Sequence, residues 1–275
     1  MRIRKQWLQM GLQMGLTMGL TMGLFVPRLY ADFINEISAD NPTSWWRMDD
    51  ASSPLADAVG GANAVVTGAP LFQEPGAGPG TGSSLRFDPA DGGDFAQAAN
   101  VIITTSFSVE LWARSATSAW NEFGWLSSER GANGFLLHPE SGLTSWRGFV
   151  VNNAGSFEQI GSHSPGVIDD AFHHYAITFD APSTTGTMYF DGVQVAQNTG
   201  MTSVRDANAN ITIEMGRDDT GSRFGNGWLD EIVLYDHALS SDRVLTHFQS
   251  AAIPEPGSAL LMIAGLGVLS LGRRR

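Results

Sequence analysis

Short segments in which apolar and polar residues alternate recur through the middle of the chain, and they constrain the fold more than any other feature. Between 106 and 114, Phe107, Val109, Leu111 and Ala113 occupy every second position. That period is typical of a strand with one buried face. Comparable segments occur at 176–179, 187–190, 193–196 and 228–235. Short strands at this spacing predict an all-β fold, a β-sandwich or jelly roll.

The residues between these segments predict how they are connected. Asp191-Gly192 separates two alternating segments, which is a strong signal for a β-hairpin. One helix is predicted at 241–249, with Ser240 or Ser241 as its N-cap. The glycine-rich stretch 76–82 is expected to be a flexible loop, and it lacks the spacing of a phosphate-binding loop.

The first 31 residues read as a secretory signal peptide. Arg2, Arg4 and Lys5 are followed by an uncharged stretch at 6–27, which is the layout of a signal peptide with a basic start and an apolar centre. We expect cleavage after Ala31. The signal peptide, 1–31, is therefore left out of the fold prediction.

The last 23 residues, 253–275, have the features of a second targeting signal. They contain Pro254, Glu255 and Pro256, an apolar run at 259–271, and three arginines at 273–275. The apolar run is shorter than the ~20 residues that span a bilayer comfortably, and the arginines suit a cytoplasmic flank. The alternatives are an ordinary C-terminal anchor or a buried core helix.

This tail resembles the PEP-CTERM sorting signal of Gram-negative bacteria. The resemblance implies that an exosortase recognises the Pro-Glu-Pro motif after a hydrophobic transmembrane helix has anchored the protein transiently in the inner membrane. It also implies cleavage near the motif and delivery to the cell surface, the exopolysaccharide or the extracellular matrix.

Composition supports export and excludes one class of partner. The chain has no cysteine, and the stretch 32–254 has 27 acidic residues against nine arginines and no lysine. Without disulfides, an exported domain depends on its core alone. Such an acidic surface argues against nucleic acid, whose phosphates require positive charge. It suits a hydrated extracellular surface, or one that collects divalent cations.

Several segments, in order, resemble a laminin G-like domain of the concanavalin A-like superfamily. They lie at 45–49, 57–61, 85–88, 107–112, 172–180, 189–192, 227–235 and 238–240. The resemblance implies that 32–252 is one concanavalin A-like β-sandwich. The chain departs from the family pattern at Phe172, where tryptophan is usual, and in a long loop at 70–84.

The sequence contains no recognisable catalytic motif, so we expect a protein that is not an enzyme. Neither a GxSxG nor an HExxH motif occurs. Related glucanases carry carboxylates at alternate strand positions, because retaining hydrolysis needs two carboxyl groups about 5 Å apart. Asp230 and Glu231 are adjacent, so their side chains are expected to point to opposite faces of a strand.

The resemblance also implies a calcium site. Calcium is common in these sandwiches near the meeting point of the first and last strands, which here implies Asp57 and Asp230, with Asp49 as a third ligand. The acidic loop 88–94 is a weaker candidate. Oxygen ligands of this kind suit Ca²⁺. The alternative is that these carboxylates only cap backbone amides of turns.

Aromatic and polar loop residues are the candidates for ligand binding. Trp120, Trp125 and Trp146 occur in irregular, polar stretches, where an exposed ring could stack on a sugar. Arg217 and Asp219 lie in a loop with charges of both signs. The alternative for each tryptophan is packing within the fold.

Three functions remain open from the sequence. The leading one is an exported, non-catalytic surface or matrix protein that binds exopolysaccharide or another glycan. The second is a structural matrix component without a defined ligand, and the third is a glycan-active hydrolase.

Overall fold

The computed structural model describes residues 32–118, 125–128, 134–140, 144–166, 170–203, 209–218 and 223–252. The predicted signal peptide and sorting tail lie outside these residues. Within them, no helix is both long enough and apolar enough to cross a membrane.

The described residues form two helices and seventeen strands, with a short 3₁₀ turn at Ala90–Gly92. In chain order the elements are α1 (Phe33–Ala39), β1 (Ser44–Trp46), β2 (Ala64–Thr67), β3 (Leu71–Pro75), β4 (Ser83–Phe87), β5 (Phe95–Ile102), β6 (Phe107–Ser115), β7 (Leu126–Ser128), β8 (Phe135–Pro139), β9 (Trp146–Val151), β10 (Phe157–His163), β11 (His173–Asp180), β12 (Thr185–Phe190), β13 (Val193–Thr199), β14 (Asn210–Met215), β15 (Arg217–Asp218), β16 (Arg223–Phe224), β17 (Gly227–Tyr235) and α2 (Ser241–Ala251).

The strands build a β-sandwich, which confirms the predicted fold class. The first sheet has the order β13-β12-β11-β6-β17-β4-β3, with β1 also pairing with β17. The second has the order β10-β9-β8-β7-β14-β5-β2, and β15 and β16 form a separate small hairpin. The central strand β17 therefore joins the last part of the chain to segments from its beginning.

The core lies between the two sheets, and the alternation seen in the sequence supplies it. Phe107, Val109 and Leu111 of β6 are fully buried in this core. The ring of Phe107 lies 5.7 Å from that of Phe135 on the second sheet and 6.1 Å from that of Phe179 on the first. Aromatic side chains bury large apolar areas, so these contacts hold the sheets together.

The hairpin predicted at Asp191-Gly192 is confirmed. It connects β12 to β13, and both turn residues have positive φ, 49° at Asp191 and 76° at Gly192. Two successive residues with positive φ are the requirement of a type I′ turn.

The two helices cover the outer face of the first sheet. The predicted helix α2 is confirmed, with the Ser240 side chain accepting a hydrogen bond from the Arg243 amide. Helix α1 was not predicted from the sequence, although Asp32 caps its first turn. Arg243 of α2 ties the helices together through Asp40 at 2.6 Å and Glu36 at 2.8 Å.

The glycine-rich loop at 76–82 is anchored, contrary to the expected flexibility. Its Ala77 amide donates to Asp230 Oδ2 at 2.8 Å, and its Gly80 amide donates to the carbonyl of Ala251 at 3.3 Å. Thr81 within it is fully buried. The longer loop expected at 70–84 is mostly the β3–β4 hairpin with this segment at its tip.

A β-bulge in β17 overturns one prediction about side-chain direction. The register against β6 shifts between Asp230 and Val233, and Glu231 has a φ of 47°. The extra residue brings Asp230 and Glu231 to the same, outer side of the sheet, where Glu231 bonds Trp45. Alternation alone does not anticipate a bulge.

Candidate functional site

A line of five side chains crosses the outer face of the first sheet. We call it the Trp228 row. Its members are Leu71, Arg86, Trp228, Arg114 and Phe172. Leu71 pairs with Arg86, Arg86 with Trp228, and Trp228 with Arg114 across β3, β4, β17 and β6. Phe172 immediately precedes β11, the next strand of the sheet.

Stacking orders the centre of this row. The Arg114 guanidinium carbon lies 3.7 Å from the Trp228 ring centroid, and that of Arg86 lies 4.7 Å from it. Arg114 also lies 5.2 Å from the ring of Phe172. The indole nitrogen of Trp228 faces Glu74 Oε2 at 3.4 Å. Stacked guanidinium groups are held by cation–π attraction and keep their N–H edges available for hydrogen bonding.

The two arginines are only loosely neutralised. Arg86 donates to Asn226 at 2.7 Å and lies 3.5 Å from Asp88, while Arg114 lies 3.9 Å from Asp170. Arg86 Nη1 and Arg114 Nε are buried and have no hydrogen-bond acceptor among the residues that the structure describes. Burial lowers the pKa of Arg86, and the charges of Asp88 and other neighbours only partly offset that effect.

A groove of about 560 Å³ lies beside the row. It is lined by Gly68, Ala69, Leu71, Arg86, Asp88, Ala90 and Asp94. Its volume falls within the roughly 300–1,000 Å³ of small-molecule sites. Arg86 and Leu71 belong both to the groove and to the Trp228 row, so the two form one continuous surface.

The acidic loop of this groove uses its carboxylates locally. Asp94 accepts hydrogen bonds from the amides of Ala69 at 2.8 Å and Asp88 at 2.9 Å, and Asp88 accepts from Ala90 at 2.9 Å. Gly68 makes the first contact possible, because a Cβ there would lie 2.2 Å from Asp94 Oδ1. Asp88 and Asp94 therefore cap backbone amides, which was the alternative to a calcium site in the loop 88–94.

The ligand-binding prediction for Trp125 and Trp146 is wrong. Both rings are buried in the core and pack on Tyr175, with centroids 4.3 Å and 5.2 Å from its ring. Polar neighbours in the sequence suggested exposure, but Trp146 is the first residue of β9 and Trp125 directly precedes β7. Trp120 and Asp219 lie outside the described residues.

Arg217 is described, and it belongs to a different surface from the Trp228 row. It pairs with Glu214 at 2.7 Å and its guanidinium lies 3.5 Å from the centroid of the Phe95 ring, on the second sheet. Glu214 also accepts from Gln97 at 2.5 Å. The guanidinium of Arg217 is therefore committed to an internal partner.

The expected calcium ligands do not form one set. Asp57 Oδ1 accepts from the amides of Trp45, Val59 and Gly60, and its Oδ2 accepts from Ala62, at 2.9–3.1 Å. Asp57 thus ties the early turn to β1 without a metal. Across the described ranges, no group of three or more histidine or acidic side chains is placed to hold a metal ion.

The other two expected ligands lie near the anchored loop. Asp49 accepts from the Ser83 amide at 2.7 Å and pairs with Arg47 at 3.2 Å. Asp230 is fully buried, and within the described part of the chain its Oδ1 has no hydrogen-bond partner. The nearby Thr81 hydroxyl lies within reach of the Asp230 carboxyl group and of the Gly78 carbonyl.

Burial dominates the chemistry of Asp230 and Glu231. It raises the pKa of both carboxyl groups well above their usual range, and their mutual repulsion and the charge of Asp49 add to the effect. Both side chains are almost completely covered. Although the bulge places them on one face, a sugar cannot reach them.

A second buried polar cluster joins the helices to the first sheet. Glu110 of β6 contacts His174 at 3.2 Å, His247 at 2.9 Å and the Tyr235 hydroxyl at 2.6 Å. His247 also lies 3.0 Å from Asp40. The sequence pattern does not reveal this cluster, because alternation places Glu110 on the solvent-facing side of β6, which α1 and α2 in fact cover.

The charges of this cluster support one another. Burial alone would raise the pKa of Glu110, but the charge of His247 and hydrogen bonds from both histidines hold it far below its usual range. Burial opposes the charged form of His247 as well, yet Glu110 raises the pKa of His247 overall. The cluster is therefore an internal ion pair that fixes the helices.

Sequence comparison places this sandwich among known families. Residues 90–245 match a laminin G-type model of the concanavalin A-like lectin/glucanases superfamily. The chain belongs to this superfamily. Residues 252–275 match the PEP-CTERM protein-sorting motif, which confirms the interpretation of the tail. No curated protein sequence is significantly similar to the chain.

Solved structures with a similar fold share little sequence with this member of the superfamily. The binding domain of botulinum neurotoxin serotype D superposes with a TM-score of 0.59 at 13% identity, over 78% of this chain and 52% of that one. Domain 4 of AbnA, a GH43 extracellular arabinanase from Geobacillus stearothermophilus, was solved in complex with arabinotriose. It superposes with a TM-score of 0.56 at 16% identity, over 76% of this chain and 98% of that one. The chain thus spans about half of the toxin domain, and these likenesses concern the fold.

Proposed function

We propose that this protein is an exported surface protein that binds polysaccharide through the Trp228 row and the adjoining groove. An exosortase would process it at Pro254, Glu255 and Pro256 on its way to the cell surface or matrix. A concanavalin A-like fold together with a PEP-CTERM motif fits a surface carbohydrate-binding protein. The observation that carries the proposal is the sugar-sized groove beside an ordered arginine–tryptophan–arginine stack.

The chemistry of this surface suits a sugar. Arg86 supplies N–H donors and Asp88 supplies carboxylate acceptors, which together match the donor and acceptor capacity of sugar hydroxyls. Leu71 is 57% exposed and contributes an apolar patch at the rim. A few polar groups placed on an apolar lining are the usual composition of a small-ligand site.

We further propose that binding is not followed by hydrolysis. Glycoside hydrolysis needs two carboxyl groups that flank the scissile bond. Asp230 and Glu231, whose raised pKa values would suit a general acid, are buried. In the groove, both oxygens of Asp94 accept from backbone amides. These positions favour a binding site over a catalytic one.

A glycan array probed with the purified exported protein tests the proposed function. The variant Trp228→Leu should lose most of the binding, since it removes the ring on which both arginines stack. Phe157→Leu is the matched control, because Phe157 is a partly exposed aromatic residue on the second sheet. Binding that survives Trp228→Leu but not Phe157→Leu would assign the ligand to the other sheet.

A second function is favoured by the charge of the domain. With 27 acidic residues against nine arginines in 32–254, the surface suits hydration and bridging by cations within a matrix. A protein that binds no glycan on the array, but retains water and cations in the matrix, would fit this structural role.

We propose that Asp49 and Asp230, and not Asp57, supply the carboxylate ligands of a calcium ion. The buried, unpartnered Oδ1 of Asp230 and the charge of Asp49 beside it favour a cation at this point. The oxygens of Asp57 are already engaged by four amides. Calcium would add carbonyl and water oxygens to complete its shell.

A further inference from the structure

Most arginines in the described part of the chain are tightly neutralised. Five of them have a carboxylate oxygen within 2.6–3.2 Å. They are Arg47, Arg147, Arg217, Arg223 and Arg243. The two arginines of the Trp228 row differ, since the nearest described carboxylates lie at 3.5 Å and 3.9 Å. In a domain with such an excess of acidic residues, this difference requires an explanation.

The partners of these two arginines are also weakly held. The side chain of Asp88 is 54% exposed and that of Asp170 is 90% exposed. Ion pairs between exposed groups contribute little and are readily exchanged. The side chains of Arg86 and Arg114 themselves are mostly covered, with 13% and 22% of their surface exposed. They are cations that have lost much of their hydration without gaining a strong partner.

The sheet holds the two charges at a fixed spacing. Arg86 is on β4 and Arg114 on β6, with β17 and its Trp228 between them. Neighbouring strands are about 4.8 Å apart, so the two backbones are roughly 10 Å apart. Stacking on one ring fixes the orientation of both guanidinium groups. Because the two guanidinium carbons lie 3.7 Å and 4.7 Å from the same centroid, the charges are at most about 8.4 Å apart, a separation that two charged groups of one polymer can match.

We propose that the Trp228 row recognises an acidic polysaccharide, with the carboxylate or sulfate groups of successive sugars binding Arg86 and Arg114. The inference rests on the proposed function and adds the class of ligand. Guanidinium groups bind carboxylates and similar oxyanions through paired, charge-assisted hydrogen bonds. Asp88 and Asp170 would release the two guanidinium groups to the polysaccharide, and the Asp88 carboxylate would remain in the groove to accept from sugar hydroxyls.

The test compares three polymers on the processed protein recovered from cells. The polymers are polygalacturonate, dextran sulfate and uncharged dextran. Affinity is measured for the parent protein and for the variants Arg86→Gln and Arg114→Gln. Arg147→Gln is the control, because Arg147 is a partly exposed arginine of the second sheet that is paired with Glu140 at 3.1 Å. Melting temperatures verify that every variant is folded.

We expect an acidic polymer to bind with the highest affinity. Each variant of a row arginine should lower that affinity by about tenfold, because it removes one charge-assisted contact. Arg147→Gln should leave the affinity unchanged, and raising the salt from about 0.01 M to about 0.15 M should weaken binding by screening. Preference for polygalacturonate over dextran sulfate would identify the group as a carboxylate, and the reverse would identify a sulfate.

Two results would overturn the inference, and they are distinguishable. If uncharged dextran binds as tightly as the acidic polymers and the row variants change nothing, the ligand is not acidic, although glycan binding itself stands. If none of the polymers binds and the glycan array is also blank, the proposed function fails together with the inference.

Discussion

At the scale of single residues, Glu110 shows how a buried charge is retained. Its carboxylate contacts two histidines and a tyrosine hydroxyl, all buried beneath α1 and α2. Removing one partner from such a pair leaves the other as an uncompensated charge, at a typical cost of 3–5 kcal/mol. The cluster therefore makes the attachment of the helices dependent on protonation.

The first prediction concerns the pH dependence of stability. The pKa of Glu110 is lowered, so its contribution is present above its usual value of 4.5 and is lost only in strong acid. The pKa of His247 is raised, so its contribution is complete below the usual value of 6.5 and is lost as the pH rises through the raised value. Stability from this pair is therefore greatest between these values and falls in alkali.

Melting curves measure the effect when they are recorded at a series of pH values, from between 4.5 and 6.5 up to alkaline pH. His247→Gln should lower the stability by about 3 kcal/mol and remove most of the alkaline slope. His237→Gln is the control, since the His237 side chain is 45% exposed and pairs with its neighbour Asp236. Equal slopes in the parent protein and His247→Gln would contradict this role of the pair.

The second prediction concerns Asp230 and calcium. A ligand that binds only the folded state stabilises it by RT ln(1 + [L]/Kd), about 2.7 kcal/mol at a hundredfold excess over Kd. Calcium should thus raise the melting temperature of the parent protein and EDTA should lower it. Asp230→Asn should abolish this response, whereas Asp57→Asn should lower the stability in both conditions, because it weakens an amide cap. A melting temperature indifferent to calcium would remove Asp49 and Asp230 as ligands.

At the scale of elements, alternation predicted the long strands correctly and failed where the backbone departs from regularity. The inward residues of β6 and the hairpin between β12 and β13 follow directly from the sequence. The bulge at Glu231 does not, because it depends on how β17 pairs with β6. Helix α1 has only seven residues, and a helix so short depends on packing for its stability.

The candidate site was less accessible to sequence reasoning than the fold. Trp228 was recognised as a strand residue, but the row to which it belongs consists of residues from five separate segments that meet only through strand order. Trp125 and Trp146 were misassigned for the converse reason, since local polarity does not reveal which way a strand residue points. Which residues form a row across a sheet depends on the register between paired strands. The sequence of a single strand does not determine that register.

The third prediction tests the contact between the β12–β13 hairpin and α2. A Cβ at Gly192 would lie 2.9 Å from Leu245 Cδ1 and 3.0 Å from its Cα, whereas a Cβ at Gly200 would meet nothing within 4 Å. Both residues have positive φ, 76° and 79°. Gly200→Ala should therefore cost only the backbone strain of roughly 1–2 kcal/mol.

Gly192→Ala should cost more, because α2 must also shift to admit the methyl group. Chemical denaturation of both variants measures the difference. Equal costs would show that the hairpin does not press on the helix in solution.

At the scale of the whole molecule, the sorting motif directly follows the folded domain. Helix α2 ends at Ala251, and the Pro-Glu-Pro motif begins at Pro254. The helix also contacts the anchored glycine-rich loop through the carbonyl of Ala251. Cleavage at or after the motif would therefore leave the contacts of α2 intact.

The fourth prediction is that the tail is removed. Intact-mass analysis of protein recovered from the native host should show a C-terminus at or near Pro256 and an N-terminus after Ala31. The variant Glu255→Ala should retain the tail and stay with the inner membrane. Mature surface protein that still carries Arg273 to Arg275 would leave the tail as a simple anchor.

The most direct test of the account is to locate a bound glycan by hydrogen–deuterium exchange on the exported protein. A polysaccharide that occupies the Trp228 row and its groove should slow exchange in 68–71, in 84–94 and in 226–229, and leave the second sheet unchanged. Protection confined to the second sheet, around Glu214 and Arg217, would contradict the assignment of the site to Arg86, Trp228 and Arg114.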